Sequence, residues 1–390
     1  MQGKDVFSTG RRILGLAMIL GGIFCTIAQF AKGGAVRTDI QPAFAATPQA
    51  GTEMPRVENA QAETRAVTGV LDATFRGILA QAEKPEWVAY RVDEIAGERN
   101  VCCGNWNSGE GCGTCRLEKD HDATGGTTHV DGVVKLEGSR GLVVLFRLEA
   151  RQVVRIRVAS EDCTLDAGGL PFLWLTGAKP AESVALLATY VQGTGFERHD
   201  HHNIGNGALT AIALHADASA EGAMESFVSP PQPEELRRQA AFWLGVARAE
   251  AGLRALERMA KNDPSSDVRA HVTFALSVSH EPGAIEEMIR MAHDDSSSHV
   301  RGQALFWLAQ KAGKKAVGTI TGAIENDPDT DVKKKAVFAL SQLPKDEGVP
   351  KLIEVAQTNR NPEVRKQAMF WLGQSNDPRA LAFFEKVLLQ

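Results

Sequence analysis

Residues 261–277, KNDPSSDVRAHVTFALS, return as HDDSSSHVRGQALFWLA at 293–309, as ENDPDTDVKKKAVFALS at 325–341 and as TNRNPEVRKQAMFWLG at 358–373. The register is 32 residues, without insertion, and it aligns Phe242, Phe274, Phe306, Phe338 and Phe370 in one column. The same ruler aligns Leu236, Val268, Val300, Val332 and Val364, then Arg237, Arg269, Arg301, Lys333 and Arg365, then Leu244, Leu276, Leu308, Leu340 and Leu372. Self-similarity at this period marks a stacked repeat architecture, in which each unit buries its apolar face against its neighbours.

Each unit reads as a helix, an Asn/Asp/Ser/Pro turn and a second helix. Asp267, Asp331 and Glu363 precede the Val-Arg step and are expected to cap the second helix, where free N–H groups and the dipole favour an acid. Val268, Val272, Ala275 and Leu276 follow the spacing of one buried stripe, and Ile285, Met288, Ile289 and Ala292 repeat it on the preceding helix. One step back along the ruler lie Ile204, Ala208, Ile212, Met224 and Phe227, a degenerate sixth repeat that caps the N-terminal end. The expectation is an α-solenoid of about six repeats over 201–390, preceded by a small β-rich domain. After Gly373 one further helix, from about Pro378 to Leu389, ends without a polar cap. That leaves an open end for a partner or a second copy of the chain.

At 100° per residue the Phe column lies well away from the stripe of Leu236, Ala240, Trp243 and Leu244. Two readings follow: packing between neighbouring repeats, or an aromatic ladder on which partner side chains dock. A doubled period overlies the column. Trp243, Trp307 and Trp371 alternate with Ala275 and Ala339, which large-on-small packing explains. Gln239, Gln303 and Gln367 alternate with His271 and Lys335, which packing explains less well. The five phenylalanines and these five polar residues are the candidate partner-binding set.

The stretches DVRAHVTFAL, DVKKKAVFAL and PEVRKQAMFWLG resemble the HEAT repeat family, close to its phycobilisome-lyase-like subgroup, whose units end in a D-x-V-R-x-x-A-x-x-A-L-G signature. The resemblance covers about half the chain. It implies that the Val-Arg helices line an inner, concave face and that a protein or peptide binds there. A relative of that family, deoxyhypusine hydroxylase, is an iron enzyme with paired His-Glu steps; here only His280 and Glu281 match, in a turn before Pro282.

The N-terminus carries Lys4, Arg11 and Arg12, followed by an uncharged run from Ile13 to Phe30. This is an export segment over 1–46, either a signal peptide or an uncleaved anchor. Small-x-small sites stand at Ala43–Ala45 and Thr26–Ala28. The expected location is the periplasm or cell envelope, or outside the cell if the segment is cleaved and nothing retains the protein. Residues 47–66 are poor in apolar side chains and read as a disordered linker.

Over 67–177, EWVAYRV (86–92), VDGVVKL (130–136), GLVVLFRL (141–148) and QVVRIRVA (152–159) read as strands of a compact antiparallel sandwich or small barrel, with a short helix near 67–80 before them. A helix and a connecting loop follow over 178–200. Cys102, Cys103, Cys112, Cys115 and Cys163 remain once Cys25 is assigned to the export segment. In an exported protein they are disulfide candidates, with one left over. The alternative is a metal site from Cys102, Cys103, Cys112, Cys115 and His121, or a redox pair at Cys112 and Cys115. His199, Asp200, His201 and His202 form a second cluster, read as a solvated loop or a metal site.

A net charge of −5 gives no footprint for nucleic acid. No serine triad, phosphate loop or dinucleotide fingerprint is present in the sequence, and no cofactor is implied. The sequence therefore reads as a non-catalytic exported scaffold for a protein partner. The alternative is a metal-binding or redox protein centred on Cys102 to Cys115, with the solenoid presenting its target.

Overall fold

In the computed structural model, residues 53–96, 100–102, 105–107, 114–119, 141–193 and 204–389 are described. Residues 50–390 hold together as one compact unit. Its N-terminal part contains β1 (Val57–Glu58), β2 (Ala62–Ala66), α1 (Leu71–Leu79), β3 (Glu86–Asp93), β4 (Asn100–Cys102), β5 (Asn105–Asn107), β6 (Thr114–Arg116), β7 (Gly141–Glu149), β8 (Gln152–Ser160), β9 (Thr164–Asp166) and β10 (Phe172–Thr176).

The main sheet runs β2-β10-β3-β7-β8. β3, β7 and β8 pair antiparallel, but β10 is parallel to both β2 and β3. The sheet is thus mixed, and the antiparallel sandwich expected from the sequence is corrected. β7 is apolar along nearly its whole length because both of its faces are covered. On one face Val88, Tyr90, Val144 and Phe146 share a core with the helices; on the other Trp87, Val143, Leu145 and Trp174 share one with Cys115 and Leu165 of the small sheet β1-β9-β6 and with Leu117 and Cys163 at its strand ends. Alternation along each strand feeds the two cores in turn.

The linker expected over 47–66 is also corrected, because 57–58 and 62–66 are strands. β2, AETRA, is exposed at every residue and is held by its ladder to β10, from Ala62↔Phe172 to Ala66↔Thr176. Backbone pairing, unlike side-chain burial, leaves no mark in composition. The strand expected at 130–136 lies outside the described residues.

The helices follow as α2 (Pro180–Gly193), α3 (Ile204–Leu214), α4 (Ser219–Phe227), α5 (Glu234–Ala247), α6 (Ala249–Asn262), α7 (Ser266–Val278), α8 (Gly283–Asp294), α9 (Ser298–Ala312), α10 (Val317–Asn326), α11 (Thr330–Ser341), α12 (Lys345–Thr358), α13 (Pro362–Gln374) and α14 (Pro378–Leu388). A 3₁₀ turn, Gly313–Ala316, precedes α10. The second helices of the repeats, α5, α7, α9, α11 and α13, form one continuous row, and α3 extends it. They pack on one another more closely than the first helices do, which places them on the inner side of the row's curve. The approach is tightest at Gly245, where a Cβ would lie 2.2 Å from the Ala275 carbonyl oxygen.

α3 also lies on β8, where Gly207 sits so close that a Cβ would meet the Ile156 carbonyl oxygen at 2.2 Å. Beyond α3, His215 bridges to Glu94 at the end of β3, and the Ile95 amide donates to Leu214 O at 2.8 Å. Ala208, Ile212, Met224 and Phe227, the expected degenerate repeat, are fully buried. The first repeat is therefore built onto the sheet.

The helix caps differ from expectation by two residues. Ser265, Asp329 and Asn361 cap α7, α11 and α14's predecessor α13, while Asp267, Asp331 and Glu363 stand in the first turn, where their charge still meets the dipole.

Candidate partner-binding face

The repeats are locked in register by a ladder of ion pairs. Arg237 Nε and Nη2 donate to Asp263 at 2.8 and 3.1 Å, Arg269 to Asp295 at 2.8 and 3.0 Å, and Arg301 to Asp327 at 2.7 and 3.0 Å. Each Asp also accepts from the amide two residues on, and Arg269 and Arg301 reach back to Asp263 O and Asp295 O. Every rung thus satisfies both charges with several hydrogen bonds, which a buried ion pair requires. At the next junction the ladder changes. Lys333 donates to Glu325 O at 2.8 Å, and Asn359 stands where the aspartates stood. The basic column is thus engaged within the repeats at each of these rungs, and Arg365 donates to Asn359 O at 2.8 Å.

The aromatic column makes a second ladder on the inner row. Phe242 stacks on Phe274 with ring centroids 5.9 Å apart and planes 12° from parallel, and Phe306 stacks on Phe338 at 5.8 Å and 3°. Trp307 joins Phe274 at 4.8 Å, and Trp371 joins Phe338 at 4.8 Å. Trp243 closes on Phe242 at 5.3 Å and Phe370 on Trp371 at 5.0 Å. Eight rings from five repeats therefore run in one chain of contacts. The doubled period is its geometry: a stacked Phe pair inside one pair of repeats, then a Phe-to-Trp step into the next.

Phe242, Phe274, Phe306 and Phe338 are half-buried, whereas Phe370 is 54% exposed. Each ring is thus partly sealed by the following repeat and keeps an edge open. Gln239, His271, Gln303, Lys335 and Gln367, three residues before each Phe, are half-buried beside it. Gln239 Nε2 donates to Glu235 at 3.0 Å, and His271 lies edge-on to Phe274 at 5.6 Å. Lys335 lays its stem across Gly302, filling the space a Cβ would take. Burial, with the Arg238 charge nearby, lowers the His271 pKa to about 4, and its buried Nε2 has no partner. The face is thus aromatic with a flanking polar row and carries a neutral imidazole at ordinary pH.

Away from this face, Cys115 and Cys163 are buried and disulfide-bonded. Cys163 Sγ also lies 3.4 Å from Val101 O. Cys103, Cys112, His121, His199, Asp200, His201 and His202 lie outside the described residues, as do the side chain of Cys102 and the export segment. Among the described residues no group of three metal-binding side chains converges, and no helix is long and apolar enough to cross a membrane.

The sequence reading missed a buried cation, Arg248, and a half-buried one, Lys311, at the ends of inner helices. Arg248 Nη2 donates to Ile212 O at 2.5 Å and His215 O at 2.9 Å, and burial lowers its pKa to about 10. Lys311 Nζ donates to Ser277 O at 2.9 Å and Ser279 O at 2.5 Å. Neither residue belongs to a column of the 32-residue ruler, so nothing in the sequence pattern flagged them.

No curated protein matches the chain. Among solved structures, the complex of CpcE and CpcF of phycocyanin lyase from Nostoc sp. is similar at 22% identity, covering 40% of this chain and 99% of that one, with a TM-score of 0.31. Human deoxyhypusine hydroxylase is similar at 17% identity over 53% of this chain and 77% of that one, with a TM-score of 0.23. A chain of the Kap95p complex with RanGDP is similar at 16% identity over 54% of this chain and 32% of that one, with a TM-score of 0.35. Likenesses of this size say nothing about activity. The HEAT-repeat family model matches residues 228–309 and 317–390, the stretches that hold the ion-pair and aromatic ladders. Those two stretches, which form the α-solenoid that follows the small β-rich domain, are HEAT repeats.

Proposed function

We propose that this protein is a non-catalytic scaffold that binds a protein partner along the inner row of its HEAT-repeat helices, with the aromatic ladder as the contact surface. The observation that carries this reading is the chain of eight rings, half-open along one face and flanked by Gln239, His271, Gln303, Lys335 and Gln367. Aromatic rings offer large rigid contact area and are frequent anchors at interfaces, while the polar row supplies orientation. A solenoid of this kind presents a long surface suited to a macromolecule. The open end at α14, where Leu381 and Leu388 are exposed, offers a second surface for a partner or another copy.

Export to the periplasm or envelope is part of the proposal. It is supported by the basic N-terminus and the uncharged run after it, and the disulfide-bonded Cys115 and Cys163 suit an oxidising compartment. The metal or redox alternative is disfavoured by the same bonds, since Cys115 in a disulfide offers no thiolate to a metal.

The test is affinity capture from the native envelope fraction, using the wild type and a Phe274→Ala, Phe338→Ala double variant matched for thermal stability. Capture by the wild type and loss in the folded variant is the expected result. A partner retained equally by both would show that the ladder is packing alone.

A further inference from the structure

At alternate repeats, the C-terminal end of an inner helix is closed by a cation from the next inner helix. α3 ends in carbonyls bound by Arg248, which follows α5, and α7 ends in carbonyls bound by Lys311 of α9. The physical reason is the same in both. The last carbonyls of a helix have no intrahelical donor and carry the negative end of its dipole. A half-buried ammonium or a buried guanidinium satisfies both at once. The lysine's pKa is lowered by burial, so its place at Ser277 and Ser279 is a desolvated one.

The third member of this alternating series is α11, and there the cation is missing. A step of 64 residues, the spacing from Trp307 to Trp371, carries Ser277 and Ser279 to Ser341 and Leu343, and carries Lys311 to Ser375. Ser375 cannot stand in for the lysine. It bears no charge, and its hydroxyl donates to Leu372 O of its own helix at 2.7 Å. In place of the ammonium stands a cavity of about 220 Å³, lined by Ser341, Leu343, Val349, Trp371, Gln374 and Ser375 among others. Trp371 is the last tryptophan of the aromatic ladder, and its buried indole Nε1 has no acceptor.

We propose that this cavity is a receptor for a lysine side chain of the partner protein, whose ammonium takes at Ser341 and Leu343 the place that Lys311 takes at Ser277 and Ser279. The chain itself contains the template for the bound state. The Trp371 ring in the lining offers an aromatic surface to the cation and its methylene stem. A peptide amide beside the lysine brings the acceptor that the Trp371 Nε1–H lacks. The inference deepens the protein-partner reading and rests on it, since it names one side chain of that partner.

One side chain of this protein competes for the place. Lys345 also lines the cavity; it is exposed, and its carbonyl oxygen accepts from Arg379 at 2.9 Å. Glu347, on the same turn of α12, is already paired with Lys314 at 2.8 Å.

The experiment is a calorimetric titration of the full chain with N-acetyl-lysine amide, with the uncharged N-acetyl-norleucine amide as control. Charged hydrogen bonds to two carbonyls predict that the lysine probe binds about tenfold or more tightly than its isostere. Ser375→Lys supplies the cation in cis, so it should abolish probe binding and raise the melting temperature, whereas Ser375→Ala should bind as the wild type does. Should Ser375→Lys fail to fold, Lys311→Ser serves instead, opening the sister site and adding a second equivalent of probe. The proposal is overturned if the two probes bind alike, if Ser375→Lys binds as well as the wild type, or if only Lys345→Ala binds, which would mean that Lys345 fills the cavity. The Phe274, Phe338 variant removes the ring packed on Trp371 but keeps the Ser341 and Leu343 carbonyls that hold the ammonium. Loss of partner capture there and loss of ammonium binding here are therefore separate results.

Discussion

Replacing Asp263 with Ala should cost the protein about 3–5 kcal/mol, the range for breaking a buried ion pair while leaving one charge behind. Both partners are almost fully enclosed, with the Arg237 side chain 4% exposed and that of Asp263 2%. The substitution removes two charged hydrogen bonds to Arg237 and the acceptor for the Ser265 amide at 2.9 Å. Arg237 Nη1 keeps its bonds to the Pro230 and Gln232 carbonyls, so the guanidinium cannot swing out freely, and it stays buried with half its hydrogen bonds and no counter-charge. Asn359, at the matching position of the ladder, accepts only the Asn361 amide, so Asn359→Ala removes one neutral bond and should cost about 1 kcal/mol. The assay is urea unfolding at neutral pH, with amide exchange in α5 and α6 to separate local loosening from global loss, since stacked repeats need not unfold as one. Adding Arg237→Met to Asp263→Ala removes the stranded charge, so the double variant should lose clearly less than the two single losses combined. Equal costs at Asp263 and Asn359, or additive losses in the cycle, would refute the view that the ladder is held by buried charge.

Acid should act through His215. Its Nδ1 accepts from the Asp217 amide at 3.2 Å and burial lowers its pKa to about 4, so the unfolded chain binds the extra proton first; stability is full above the ordinary value of 6.5 and falls by up to about 3 kcal/mol as pH drops to 4, a slope that His215→Gln should reduce in pH-dependent unfolding while leaving the like contribution of His271. Gly245→Ala, whose Cβ would press on Ala275 O, should lower stability by about 1–3 kcal/mol, whereas Gly373→Ala, with open space around it, should raise it by about 0.4–1 kcal/mol. Thermal unfolding of the two variants side by side checks the pair, and a reversed order would contradict the packing described between α5 and α7.

Much of this was legible because the repeats are exact in length. A 32-residue ruler gave the helix pairs, their buried stripes and the columns that became the two ladders. It was blind where contact is made by backbone or crosses the ruler. β2 is wholly exposed and held by main-chain bonds alone, and the parallel pairing of β10 joins residues over a hundred apart. The caps were placed two residues late because Asp267 and Asp331 look like caps in isolation, and only the turn geometry shows Ser265 and Asp329 in that role. Arg248, just past α5, and Lys311, in the last turn of α9, stand where no column runs. Even so, the 64-residue spacing of the tryptophans could have pointed from Lys311 to Ser375 had it been followed beyond the aromatic rows.

The seating of α3 on β8, with Gly207 against Ile156 and Ile95 bonded to Leu214, also fixes the order in which the molecule can be built. A ribosome delivers the strands before the helices, so the sheet can close through β10 while the repeats are still to come. Each new helix pair then meets a finished apolar face and has no need to find a distant partner. The growing chain always has one exposed edge, which the next few dozen residues cover.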